Sequence, residues 1–274
     1  KHALERTYGV ILFQDQVNHV AMDVAGFSSL EADQLRRAYG RKNNEVLIQA
    51  YWEKFREGSA KKGVDKDTAR RIFNKFNGLY MFPESHAIAF GVTAYQMAWL
   101  KLYYPLEFYV AIFNQQPMGF YNLETLKEDA KRHGINLLNP DINQSREKCT
   151  IKGDAICLGF LSVASVGPVA ANAIVVAREK GLSFRSIADV MRRTSLLQEA
   201  LGNLVDAGAF DALCPDRRAV RWEIGLRYCH VARQAALSFP IDQDMADLTH
   251  QTAWEQMEGE YRTIRMHPAS HVMA

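Results

Sequence analysis

The chain has 274 residues, 48% of them hydrophobic and 23% charged, with a formal net charge of +2. That length can bury one large core or two ordinary ones, and the composition is that of a globular protein. A near-neutral total says little about partners, but its distribution says more. Twelve Lys/Arg stand against five Asp/Glu between Arg36 and Lys75, whereas Ile241 to Glu260 holds six acids and no Lys or Arg.

Helical signals come first along the chain. Ser28-Ser29-Leu30-Glu31 is a capping box, and Gly40 closes the helix it opens. A second helix is expected from about Asn44 to Lys61, stopped by Gly63, and Asp65 caps a third carrying Ile72, Phe73 and Phe76. Asn77-Gly78 breaks that helix. Pro83 or Ser85 opens the most apolar stretch, Ala87 to Leu100, which is too short to span a bilayer and reads as a buried core helix. Pro105 starts another helix at its first position, and Asn122 to His133 forms a short one ended by Gly134.

At about Ile135 the character changes. INLLNPDINQSREK reads as an extended connection, and Lys152-Gly153-Asp154 between two short apolar runs signals a β-hairpin. Helices resume after Phe160 and continue to about Arg233. The expected boundary therefore lies between residues 135 and 155. Cys149, Cys157, Cys214 and Cys229 form no CxxC pair, which argues against zinc and for reduced thiols in a cytoplasmic setting. KHALERTYGV contains no signal-peptide apolar core.

Three segments carry candidate chemistry. Leu158 to Lys180 reads as one helix running into Ala164-Ser165-Val166-Gly167 and a second begun by Pro168. Such a hairpin aims backbone amides and the positive end of a helix dipole at an anion. An ordinary antiparallel helix pair explains the same pattern. Arg36 and Arg37 project about 100° apart at a helix C-terminus. They either favour the dipole there or clamp a polyphosphate with Lys42. His86, in Pro83-Glu84-Ser85-His86, stands at a helix start and either donates to a ligand or serves structure. No Asp-x-Asp pair is placed for two metal ions: Asp242-Gln243-Asp244 has the spacing but falls in the acidic tail. His267 and His271 are separated by Pro268, which argues against a metal pair.

Taken in order, TYGVILFQDQV, AGFSSLEADQLRRAYGRK, FPESHAIAFGVTAYQMAWLKLYYPLEF, DAKRHGINLLNPDINQS and LVDAGAFDAL resemble the bacterial C-family DNA polymerases, whose replicative member is the DNA polymerase III alpha subunit. The resemblance runs from roughly residue 2 to 268. PESHA, NQQPMGFYNLETL and TAWEQMEGEYRTIRMHP resemble the error-prone branch. It implies a mainly α fold: helical fingers over 1–134, a linker and the start of a β-hairpin over 135–154, a tandem helix-hairpin-helix domain over 155–235 and an acidic tail over 236–274. It also implies deoxynucleoside triphosphate at Arg36, Arg37, Lys42, Ser85 and His86, and duplex-DNA phosphate at Ser165, Val166, Gly167 and Val169. The palm aspartates and their Mg would belong to the complete polymerase, so no catalytic residue, metal ligand or cofactor is expected in this chain, and the isolated chain is expected to be inactive. Other polymerase or mutasome subunits are further expected partners, and a membrane is not. Two departures stand out: Leu79-Tyr80-Met81 replaces Gly-rich residues, and Ser165 occupies a usual hairpin glycine position. The rival readings are a stand-alone helix-hairpin-helix DNA-binding module and a helical protein-interaction scaffold.

Overall fold

The computed structural model describes residues 2–40, 44–76, 81–228, 248–271 and 273. It divides into two compact units, Lys1–Gln96 and Met97–Ala274.

In the first unit, helices α1 (Gln14–Ala25), α2 (Ser29–Tyr39), α3 (Glu45–Lys61) and α4 (Lys66–Asn74) surround one core. Apolar residues at helical spacing supply it: Val17, Val20 and Ala21 from α1, Leu35 from α2, Trp52 and Phe55 from α3, and Phe73 from α4. Phe55, Phe73 and Phe76 meet edge-on or tilted at 5.3–5.7 Å, the geometry their ring quadrupoles prefer. The capping box forms as expected, with Ser28 Oγ accepting from the Glu31 amide and Glu31 accepting from the Ser28 amide. Asp65 accepts from the Thr68 amide at 2.8 Å and caps α4. Gly63 takes φ +78° and ends α3, whereas Gly40 ends α2 with φ −80°, a conformation open to any residue.

Helix α5 (Glu84–Tyr103) follows. The expectation of a buried core helix is corrected here: no residue of α5 is buried, and Ile88, Phe90, Tyr95, Trp99 and Leu102 are exposed. Apolar residues lie all round this helix, so periodicity selects no buried face, and none of the described residues covers it closely.

The second unit builds a larger core from α6 (Pro105–Asn114), α7 (Leu123–Arg132), α8 (Pro168–Gly181), α9 (Ile187–Arg193), α10 (Gln198–Asp206), α11 (Arg217–Arg227) and α12 (Ala253–Ile264). Its small sheet has the order β1-β3-β2. The hairpin of β2 (Thr150–Lys152) and β3 (Ala155–Cys157) turns at Gly153, φ +63°, as the sequence indicated. Strand β1 (Asn136–Leu138) adds in parallel to β3. The division between units falls within α5, well before residue 135. The Pro- and Asn-rich stretch does end the helices, but its Ile135, Leu137 and Ile142 enter the same core as Tyr109 and Phe113 of α6. The tail assignment over 236–274 is corrected in its described part. Helix α12 is capped by Thr252, buries Glu260 and Ile264, and packs on α10. Beyond it, the fully buried Lys127 of α7 donates to the carbonyls of His267 and Ser270 at 3.0 and 2.8 Å. Asp242, Asp244 and Cys229 lie outside the described residues. Cys149, Cys157 and Cys214 are free thiols. Among the described residues, no helix is long and apolar enough to cross a membrane.

Candidate nucleotide and nucleic-acid sites

In the first unit, α1, α2 and the start of α5 converge through Gln14 and Asp15. Gln14 donates its amide to the Phe82 carbonyl at 3.1 Å and accepts from the Arg36 guanidinium at 3.1 Å. The Asp15 carboxylate accepts from the Glu84 amide at 3.0 Å, and Glu84 pairs with Arg6 at 2.8 Å. Arg36 is thereby tied to the same short segment that precedes Ser85 and His86. The His86 ring stacks on Phe82, with centroids 5.0 Å apart, and meets Phe90 at 4.4 Å. Both arginines occupy the last turn of α2 and share Asp33, Arg36 at 2.7 Å and Arg37 at 2.7 Å. The Arg36 hydrogen bond holds the Asp33 carboxyl below its ordinary value. Arg37 is the more exposed of the two, with 66% of its side chain accessible against 29% for Arg36. A phosphate approaching Arg36 must compete with Asp33 and Gln14; one approaching Arg37 competes with Asp33. Lys42 lies outside the described residues, as do Leu79 and Tyr80.

In the second unit the hairpin is better defined. Its first element is a single 3-10 turn, Phe160–Ser162, and not the α-helix that the apolar run suggested. The chain leaves that turn through Val163 and reverses at Ser165, which takes φ +61°. This is the left-handed region that glycine enters freely and other residues enter at about 1–2 kcal/mol. Gly167 is extended at φ −81°, ψ 176°, and serves as N-cap of α8 with Pro168 at the first helical position. A Cβ built on Gly167 meets nothing within 4 Å, so the space in front of this helix start is open. No side chain caps α8, and its first-turn amides face the arrangement that binds anions. Val169 is 86% exposed beside them. Val166 is different: it is buried, and its amide donates to the Val163 carbonyl at 3.1 Å. Its expected DNA contact is therefore corrected to an anchoring role in the core.

Three residues that the sequence did not single out hold the hairpin. Thr263 of α12 accepts from the Ala164 amide at 2.8 Å. Asn203 of α10 donates to the Ala164 carbonyl at 3.0 Å. Glu199 in the first turn of α10 accepts from Ser165 Oγ at 2.6 Å. Glu199 and Asn203 also line a hollow of about 350 Å³ with Gln198, Gly202 and Arg221. These partners are 34 or more residues from the hairpin in sequence, so local pattern carried no signal for them.

Behind the hairpin, charged groups lock α10, α11 and α12 together. Arg217 is 5% exposed, donates twice to Asp211 at 2.9 and 2.6 Å, and donates to Glu260 at 2.9 Å. Burial alone would lower its pKa, but Asp211 and Glu260 outweigh that and raise it. Glu260 also accepts from Asn139 at 2.7 Å and contacts His267 at 2.5 Å. Asp206 binds Arg221 and Arg262. Gly208, φ +84°, lets the chain turn against this cluster, since a Cβ there would sit 2.5 Å from Arg217 and 2.6 Å from Asn139. The turn in Leu204 to Asp211 therefore serves the packing of this cluster.

Comparison with known proteins places both regions. Residues 1–63 match the family model described as the Bacterial DNA polymerase III alpha subunit finger domain. Residues 134–220 match the helix-hairpin-helix motif. An error-prone DNA polymerase of Symbiobacterium thermophilum is 42% identical over 82% of this chain and 23% of its own length. One from Sinorhizobium medicae is 35% identical over 99% of this chain and 27% of its own length. A third, from Corynebacterium diphtheriae, is 37% identical over 82% of the chain and 22% of its own length. The chain thus spans about a quarter of the length of these relatives. With the finger and hairpin regions matched in order and the similarity continuing across the rest, the chain belongs to the bacterial DNA polymerase III alpha-subunit family, on its error-prone branch, and comprises finger and helix-hairpin-helix regions.

Proposed function

We propose that this chain supplies two binding functions to an error-prone DNA-directed DNA polymerase: contact with the incoming nucleoside triphosphate in the first unit, and a sequence-blind hold on duplex DNA in the second. The observation that carries the reading is the hairpin at Ala164–Gly167. It ends on an uncapped, unobstructed start of α8 and lies inside the residues that match the helix-hairpin-helix motif. Backbone amides there can hydrogen-bond a phosphate without reading bases, which positions duplex without selecting sequence. In the first unit, Arg36, Arg37 and the Ser85–His86 start of α5 form the nucleotide-facing group, drawn together by Gln14. The chemistry of phosphoryl transfer belongs elsewhere in this reading. Two-metal catalysis needs converging carboxylates, and among the described residues no three His, Cys, Asp or Glu side chains gather to hold a metal ion. No catalytic step is therefore assigned to the described residues.

The test is fluorescence anisotropy of the 274-residue chain with short duplexes of unrelated sequence at several salt concentrations. Binding of similar strength to each duplex, weakened by salt, is expected. Replacing Gly167 with Asp places a negative side chain in open space at the α8 start and should abolish most of that binding. Retention of full affinity by Gly167→Asp overturns the hairpin assignment.

A further inference from the structure

Ser165 and Glu199 form a contact that the hairpin motif does not require. The Ser165 hydroxyl donates to Glu199 Oε1 at 2.6 Å, from a residue held at φ +61°. Glycine at this position would have neither the hydroxyl nor the strain. The bond fixes a carboxylate beside the loop whose amides would receive a phosphate. Ser165 stands two residues before the N-cap Gly167 and three before Pro168, roughly 7–11 Å of chain at most, so the carboxylate it holds lies about one Debye length from a phosphate bound there. The cation lining the same hollow, Arg221, is committed to Asp206 at 2.7 Å. Glu199 is thus left to act on an incoming anion by repulsion.

We propose that Glu199, latched by Ser165, is a charge gate on the hairpin phosphate site: it weakens the hold on duplex DNA and keeps that hold releasable. The proposal rests on the reading of the hairpin as the DNA contact. An isolated first-turn acid has another use, since negative charge near a helix N-terminus stabilises the helix. The two roles separate in their readouts. A helix-stabilising acid affects unfolding alone; a gate affects DNA affinity and does so in a salt-dependent way.

The experiment uses the intact chain and a short duplex. Glu199→Gln keeps a hydrogen-bond acceptor for Ser165 and removes the charge. It should tighten binding about three- to tenfold at low salt, from repulsion across this distance in a partly screened setting. The gain should shrink as salt rises. Ser165→Ala keeps the left-handed backbone, frees the carboxylate to swing into solvent, and should give a smaller gain. The double variant should bind no tighter than Glu199→Gln. Gly167→Asp is the control. If it abolishes binding while Glu199→Gln leaves affinity unchanged at every salt concentration, Glu199 is a helix-stabilising acid and the gate is refuted. If Gly167→Asp also leaves affinity unchanged, the hairpin itself is not the DNA contact, and both readings fall.

Discussion

Arg217→Met should destabilise the second unit and loosen the hairpin with it. Arg217 is 5% exposed and satisfies Asp211, Glu260 and the Asp206 carbonyl at once. Methionine keeps much of the volume and no charge. Removing one member of a buried ion pair costs about 3–5 kcal/mol, because the remaining charge stays buried without its partner. The lower end applies here. Asp211 is 40% exposed and can turn to water, and Glu260 retains Asn139 and His267. The expected loss is therefore about 3 kcal/mol, or about 6–12 °C in Tm for a unit of this size. Urea unfolding followed by circular dichroism, with hydrogen exchange on α10 to α12, reads it directly. Because α12 holds the Ala164 amide through Thr263, duplex binding should weaken as well. Adding Glu260→Gln to Arg217→Met should recover part of the stability, since the stranded charge is gone. A loss below about 1 kcal/mol in the single variant, against the 3–5 kcal/mol expected of a buried pair, would refute the view that this network fastens α12.

Gly208→Ala should cost about 2–4 kcal/mol, because φ +84° is strained for alanine and the new Cβ would press on Arg217 and Asn139; thermal unfolding checks it. Asp129 is pushed up by burial, but hydrogen bonds from Lys101 and Tyr109 outweigh this and hold its carboxyl at about 2 against an ordinary 3.8. Its folded value is depressed, so its stabilising contribution is present above the ordinary value and lost as pH falls toward about 2. Asp129→Asn should accordingly be less stable than the parent at neutral pH, and the difference should close between about pH 4 and pH 2 in urea titrations. In a polymerase carrying this chain, replacing both Arg36 and Arg37 with alanine should raise the KM for nucleotide by at least about tenfold, each charge-assisted contact contributing about 1.5–3 kcal/mol; an unchanged KM returns the pair to service of the α2 dipole.

Much of the fold was legible because local chemistry decides it. Ser28, Asp65, Pro105 and Asn122 each open a helix where their side chains or fixed φ predispose the chain to do so. Gly153 turns the β-hairpin for the same kind of reason. The misread elements depended on what lies far away in sequence. Strand β1 exists because β3 pairs with it, 19 positions onward at Asn136 and Ala155. Ile135 and Ile142 sit in a segment that reads as a linker until their partners in α6 are known. Helix α5 reads as core from its composition, yet composition names no partner, and none of its residues is buried. In the group proposed to face nucleotide, Arg36 and His86 were visible in the sequence, whereas Gln14, which joins their segments, carried no motif.

The hairpin shows how a departure from a motif can be more than a defect. Read locally, Ser165 is a strained substitute for glycine, and strain alone predicts a small loss of stability. Read in the fold, the same side chain reaches Glu199 across 34 residues. The strain and the hydrogen bond have to be weighed together: an exposed bond to a carboxylate contributes about 1.5–3 kcal/mol at most and offsets the left-handed backbone. Ser165→Gly should therefore change stability little, because it removes both at once. Its effect on DNA is not balanced in this way. The glycine variant lets the loop approach phosphate more closely and releases the carboxylate, and both changes act toward tighter binding. If the hairpin is the DNA contact proposed above, a serine nearly neutral for folding is expected to weaken the hold on DNA, and the two measurements on one variant separate a residue kept for packing from one that tunes affinity.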